Sequence, residues 1–208
     1  MTETSAQLIS LVGFAFVASI TPGPNNFMVM ASSAAFGARR TVPHMIGIAG
    51  GFVVMITSVV LGLGALLNAA PGVLFALRIF GTLWLLWLAW QLAGPLFDCK
   101  TVGDGPSFPA TTARPLRAYE AALFQWVNPK AWTMAIAISS AYVGLSDNMA
   151  VRAAIMAMVF VMVAPICNGV WMIAGQSLQR VFASRKSAFV INSSMVAMVV
   201  FSAVLINL

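Results

Sequence analysis

Two short stretches hold most of the polar chemistry of this chain. The first is Thr21-Pro22-Gly23-Pro24-Asn25-Asn26 and the second is Asn128-Pro129-Lys130. Both interrupt long apolar runs. A proline inside a helix removes one backbone hydrogen bond and clashes with the preceding turn, at a cost of about 3 kcal/mol or more. Pro22, Gly23 and Pro24 together argue against a continuous helix. Backbone groups freed inside hydrocarbon must be buried in protein or line a wet cavity. Thr or Asn ahead of Pro is also a helix start, with the side chain at the N-cap and Pro at the first helical position. Each stretch is therefore expected to end one half-helix and begin another. Helix N-termini carry partial positive charge and unpaired N–H groups, which favour an anionic group. Lys130 adds a formal charge. The carbonyls that end the first half-helices, near Ile20 and Val127, are expected to face a cation. A site with both features suits a zwitterion.

The plainer reading is that single prolines only kink membrane helices. It fits less well here, because the first break spans several residues and a second recurs at the matching place in the other half. Lys130 could snorkel to an interface, yet it lies about twelve residues from either end of its apolar run, roughly 18 Å along a helix. An ionisable group at that depth is functional by default. Other candidates carry weaker signals. Gly47 and Gly51 form a small-xxx-small pair, most often plain helix packing. Pro165, Asn168 and Gly169 could unwind the fifth run and line the cavity, or merely kink it. Trp84, Trp87 and Trp90 share one side of the third run, as packing or lipid-facing residues do. His44 reads as a solvated interface histidine. Glu120 is expected to pair with Arg117 at helical spacing, or to carry a proton.

The elements that position these residues follow from composition. Of 208 residues, 61% are hydrophobic and 8% charged, against about 25% charged in a soluble domain. Such a chain needs a bilayer. The net charge of +6 is spread thinly and forms no patch for nucleic acid. The N-terminus has an acid at Glu3, no basic n-region and no cleavage-like site, so the first apolar run is expected to stay in the mature protein. A span needs about 20 mostly apolar residues. Six runs qualify: 8–34, 42–67, 72–96, 116–142, 149–175 and 186–206. Their length and continuity favour helices over a barrel. Arg39 and Arg40 lie in the first break, Lys100, Arg114 and Arg117 in the third, and Arg180, Arg185 and Lys186 in the fifth; the second and fourth have only Arg78 and Arg152 nearby. Odd-numbered loops should face the cytoplasm, with both termini outside. The long polar third break divides the chain into repeat one, 6–97, a cytoplasmic linker, 98–115, and repeat two, 116–208. Three spans per half give the halves opposite orientation, the layout of an inverted repeat. The expected architecture is a single all-α transmembrane domain, 1–208, with helices one and four broken.

At "TPGPNN", Gly37, "PHMIGIAGG" and "VNPKAW" the sequence closely resembles the LysE/RhtB family of amino-acid exporters, along nearly its whole length. The resemblance implies a bacterial inner-membrane carrier that expels amino acids or their derivatives, energised by an ion gradient, expected to be that of protons. It places the family motifs on Thr21, Pro22, Gly23, Pro24 and Asn25, on Asn128, Pro129 and Lys130, and on Gly47 and Gly51. One departure bears on the substrate. Many members have an acid where this chain has Phe52, and no Asp or Glu occurs in the core of any run. Neutral rather than cationic substrates are therefore expected. "TPGPNN" and "NGVWMIAGQSLQRVF" look more like the branch associated with cysteine and O-acetylserine export.

Three other classes compete. A transmembrane thiol–disulfide carrier needs a cysteine pair near the breaks, and the only cysteines are Cys99, in the polar loop, and Cys167, in an apolar run. A membrane enzyme has no paired-acid metal motif, no nucleophile elbow and one histidine to use. A passive pore predicts flux insensitive to the proton gradient. The expected partners are a small amino-acid-like substrate and the lipid bilayer, with a homo-oligomer left open, and neither nucleic acid, cofactor nor metal.

Overall fold

The computed structural model of the chain describes residues 3–63, 71–97 and 114–181, with 193, 196–197, 199–201 and 203–204 near the C-terminus. No strand occurs among them. The helices are α1 (Glu3–Ile20), α2 (Pro24–Phe36), α3 (Ala38–Ser58, continued by the π-helical turn Val59–Leu63), α4 (Pro71–Phe97), α5 (Ala118–Phe124), α6 (Pro129–Ala141) and α7 (Met149–Val181). Described residues beyond 192 are also helical; the rest of the run 186–206 lies outside the described residues, as does the linker up to 113. Three helices, Glu3–Ile20, Ala38–Leu63 and Met149–Ser177, are long and apolar enough to cross a membrane.

Both expected interruptions are present. In the run 8–34, α1 stops at Ile20 and α2 starts at Pro24 after an extended Gly23 (φ −168°, ψ 173°). In the run 116–142, α5 stops at Phe124, a 3-10 turn covers Gln125–Val127, and α6 starts at Pro129 after an extended Asn128 (φ −88°, ψ 106°). Each new helix has proline in its first turn, where a missing N–H costs nothing. The run 149–175 behaves differently. Here α7 continues through Pro165 and Gly169, so it is not unwound, and Pro165 is exposed on its outer face. A single proline in a long helix bends it without ending it.

The α2–α3 corner turns on Gly37, whose φ of 83° strains any residue with a Cβ. α7 packs against α1, α2 and α3, and α5 lies along α3. The α3–α5 approach is close enough that a Cβ on Gly47 would stand 2.1 Å from the Ala118 carbonyl oxygen, and one on Gly51 would stand 2.6 Å from the Ala122 Cα. The spacing read as small-xxx-small is thus a packing seam between backbones. The main core joins Leu11 and Ala15 of α1, Phe52 and Met55 of α3, Ala135 and Ile138 of α6, and Met156 and Phe160 of α7. On α4, Trp84, Trp87 and Trp90 keep 41, 49 and 75% of their surface exposed, and Trp84 also packs against Trp87 and Phe124, within the packing or lipid-facing reading.

Two side chains depart from expectation. His44 is not a solvated interface residue; it is buried on the inner face of α3. Glu120 does not use the Arg117 side chain. Arg114 grips both its carboxylate oxygens at 2.6 and 2.8 Å, and Arg117 contributes only its backbone N–H, at 2.8 Å. Glu120 occupies the third position of α5, from which it reaches back to close the helix start, and this brings it to the residues preceding the helix.

Candidate functional site

The end of α1 shows how the first break is held. The last carbonyls of a helix have no partner within it. Here three side chains from elsewhere in the chain supply partners. Asn26 Nδ2 donates to the Ser19 carbonyl at 2.9 Å, Trp171 Nε1 to the Ile20 carbonyl at 3.1 Å, and Lys130 Nζ to the Thr21 and Pro22 carbonyls at 2.5 and 3.4 Å. The carbonyls near Ile20, expected to wait for a ligand cation, are therefore occupied by the protein. The negative end of a helix draws a cation, and Lys130 is that cation. Val127 differs too, since its carbonyl lies under α4, where a Cβ on Gly81 would stand 3.0 Å from it.

Thr21 is not an N-cap. Its hydroxyl donates to the Val17 carbonyl, the usual bond of Thr to the residue four back, so it belongs to the end of α1. Gly23 takes the N-cap position of α2, and no side chain caps that N-terminus. The second break follows the expected pattern, with Asn128 Oδ1 accepting the Lys130 backbone N–H at 3.1 Å. The breaks are joined by a second contact between amides. Asn25 Nδ2 donates to Gln125 Oε1 at 2.9 Å, and Gln125 Nε2 donates to the Ala121 carbonyl at 3.0 Å. Trp132 Nε1 donates to the Trp126 carbonyl at 2.9 Å and pins the 3-10 turn.

A cavity lies where the two breaks meet. Ser19, Asn25, Asn26, Gln125, Asn128, Lys130 and Asn168 give it polar groups, and Ile48, Phe52, Met134 and Phe160 form apolar walls. Its volume is about 50 Å³. Among the described residues no acid lines it, and the formal charge there is that of Lys130. Among the expected site residues, Gly23, Asn25, Asn26, Asn128, Lys130 and Asn168 line this cavity. Thr21 and Pro22 contribute only carbonyls, bonded to Lys130. Pro24 and Pro129 are buried helix starts, Gly47 and Gly51 form the α3–α5 seam, and Pro165 faces outward. Gln125 and Trp171 were not anticipated. Gln125 carried a usable signal, an amide three residues before Asn128 in an apolar run; Trp171 carried none, because its role depends on how α7 crosses α1.

A profile of the LysE type translocators matches residues 16–207. The cysteine/O-acetylserine efflux protein of Escherichia coli (strain K12) is 25% identical over 183 residues, covering 86% of this chain and 87% of that protein. The protein of the same name from Klebsiella pneumoniae subsp. pneumoniae is 24% identical, over 86 and 87% of the two chains. That from Salmonella paratyphi A is 26% identical, over 81 and 82%. No solved structure matches significantly.

Proposed function

The chain belongs to the LysE family of translocators, and we propose that it is a secondary transporter exporting small, neutral amino acids or their derivatives across a bacterial inner membrane, coupled to the proton gradient. In this reading two inverted three-span repeats, 6–97 and 116–208, flank the cavity, and both termini lie outside. The observation that carries it is the meeting of the two helix interruptions at one cavity, bridged by Lys130 and by the Asn25–Gln125 pair. A site between repeats can open to each side in turn as the repeats rock against one another. The uncapped N-terminus of α2 and the ammonium of Lys130 offer positive charge to a carboxylate. The amide oxygen of Asn168, which lines the cavity, is an acceptor suited to an α-ammonium group. A cationic side chain would find no carboxylate among the described lining residues, which favours neutral substrates. The relatives' printed names make O-acetylserine the first probe.

The test is uptake of labelled O-acetylserine into inverted vesicles that are acidic inside. Gradient-dependent accumulation above empty-vector vesicles, abolished by a protonophore, is the expected result. Uptake that ignores the gradient would indicate a passive pore. A thiol–disulfide carrier is disfavoured by Cys167, which is buried with its Sγ 3.7 Å from the Phe16 carbonyl. Replacing Cys99 and Cys167 with Ser should leave uptake intact, whereas its loss would support the redox reading.

A further inference from the structure

His44 is the chain's one histidine, and 1% of its surface is exposed. Neither Nδ1 nor Nε2 has a hydrogen-bond partner among the described residues. A buried polar atom left unpaired is destabilising, so an orphaned imidazole needs a reason. A Leu or Met in its place would carry no such cost. His44 lies one helical turn from Ile48, which forms part of the cavity wall. In the other direction along α3 are Arg39 and Arg40, both exposed. The ring thus stands between the cavity and the arginine-rich end of the bundle.

We propose that His44 carries the coupled proton between the central cavity and that end of the protein. This deepens the proton-coupled reading above and rests on it. In the transfer, a proton from the cavity adds to the free lone pair of the neutral ring and gives imidazolium. A ring N–H proton then passes to water at the arginine-rich end, and the neutral ring returns. No bond between heavy atoms changes. Imidazole suits this because one nitrogen accepts while the other donates.

The surrounding charges make the ring a carrier rather than a store. Its own helix brings Arg39 and Arg40. α5 brings Arg117 and Glu120, and Glu120 is already held by Arg114 and the Arg117 N–H. α6 brings Lys130. The sequences of α2, the 3-10 turn Gln125–Val127 and the π-helical turn contain no charged residue, and near Met30 and Ser33 α7 presents Trp171, Met172 and Gly175. No free carboxylate among the described residues of these elements stands ready to hold an imidazolium, and an unpaired buried charge is far more costly than an unpaired neutral ring. A proton placed on His44 is therefore passed on.

Two measurements test the proposal. Histidine-selective 15N labelling reads this ring alone, provided that the purification tag contains no histidine. In wild-type protein in nanodiscs, the ring should rest neutral, and saturating O-acetylserine should change the rate at which its N–H exchanges with water. In proteoliposomes, His44→Gln should lower the ratio of gradient-driven accumulation to counterflow exchange by about a hundredfold, the size of a lost proton-transfer group. An unchanged ratio in His44→Gln, or a ring whose N–H exchange ignores the substrate, overturns the role of His44 while leaving coupling intact. If wild type itself accumulates nothing under the gradient, the coupling reading falls and the proposal with it. Should His44→Gln fail to fold, the labelled wild-type ring decides.

Discussion

Lys130 directs two of its three N–H donors at backbone carbonyls of Thr21 and Pro22, which sit on the other side of the cavity. It therefore has two tasks, closing the end of α1 and charging the cavity. The third donor is the one that the proposed function assigns to a substrate carboxylate. Lys130→Gln keeps much of the length and removes the charge. Losing a hydrogen bond to a charged partner costs about 1.5–3 kcal/mol, so apparent affinity for O-acetylserine should drop by roughly ten- to a hundredfold. Uptake into inverted vesicles, comparing the acid with its amide, separates the two tasks. Wild type should discriminate strongly against the amide and Lys130→Gln weakly. A mutant that loses both substrates equally would confine Lys130 to holding the breaks together. Lys130 was legible in the sequence because its depth in an apolar run is itself improbable. Its partners were not, since backbone carbonyls leave no mark on residue identity. His44 was misread for a related reason. Sequence position gives depth along a helix, but the face is set by what packs there, and His44 lies on the same side of α3 as Gly47 and Gly51, which meet α5.

At the scale of elements, proline placement was the most readable feature and capping the least. Pro22 and Pro24 both qualify as first helical residues, and sequence alone does not choose between them. The structure takes Pro24, because Thr21 satisfies its hydroxyl on the turn behind it and stays with α1. The second break has a single proline, so Asn128 had no competitor as N-cap and was read correctly. The α3–α5 seam makes a sharper prediction. A methyl group on Gly47 meets the Ala118 carbonyl at 2.1 Å, whereas one on Gly50, on the same helix, meets nothing within 4 Å. Backbone must move to admit the first, and overpacking of this kind costs about 1–3 kcal/mol. Gly50→Ala only gains helix propensity, worth up to about 1 kcal/mol. Thermal unfolding of the two variants in detergent should show Gly47→Ala well below wild type and Gly50→Ala level with it or above. Equal midpoints would mean that α3 and α5 do not touch as described.

At the scale of the whole molecule, the bundle has two ends of opposite character. Ser10 and Tyr142 share a hydrogen bond at 3.0 Å, and a Cβ on Gly144 would stand 3.1 Å from Gln7 Nε2. These contacts bring the start of α1 and the turn after α6 to one end, which carries Glu3 and Asp147. Arg152 is folded inward there, with its guanidinium on the Val143 and Ser146 carbonyls. The α3–α5 seam brings the starts of those helices to the other end, with exposed Arg39, Arg40, Arg114 and Arg117. Exposed arginines close to span ends are retained on the cytoplasmic side, so the arginine-rich end should face inward and the Glu3–Asp147 end outward. Single cysteines at Arg40 and Asp147, in a background with Cys99 and Cys167 replaced by Ser, test this in intact cells. An impermeant maleimide should label Asp147→Cys at once and Arg40→Cys only after the cells are opened. The reverse pattern would invert the protein, placing Arg39 and Arg40 outside. The path from the cavity past His44 would then lead outward, and the outward face of the carrier would be the one lined by arginine.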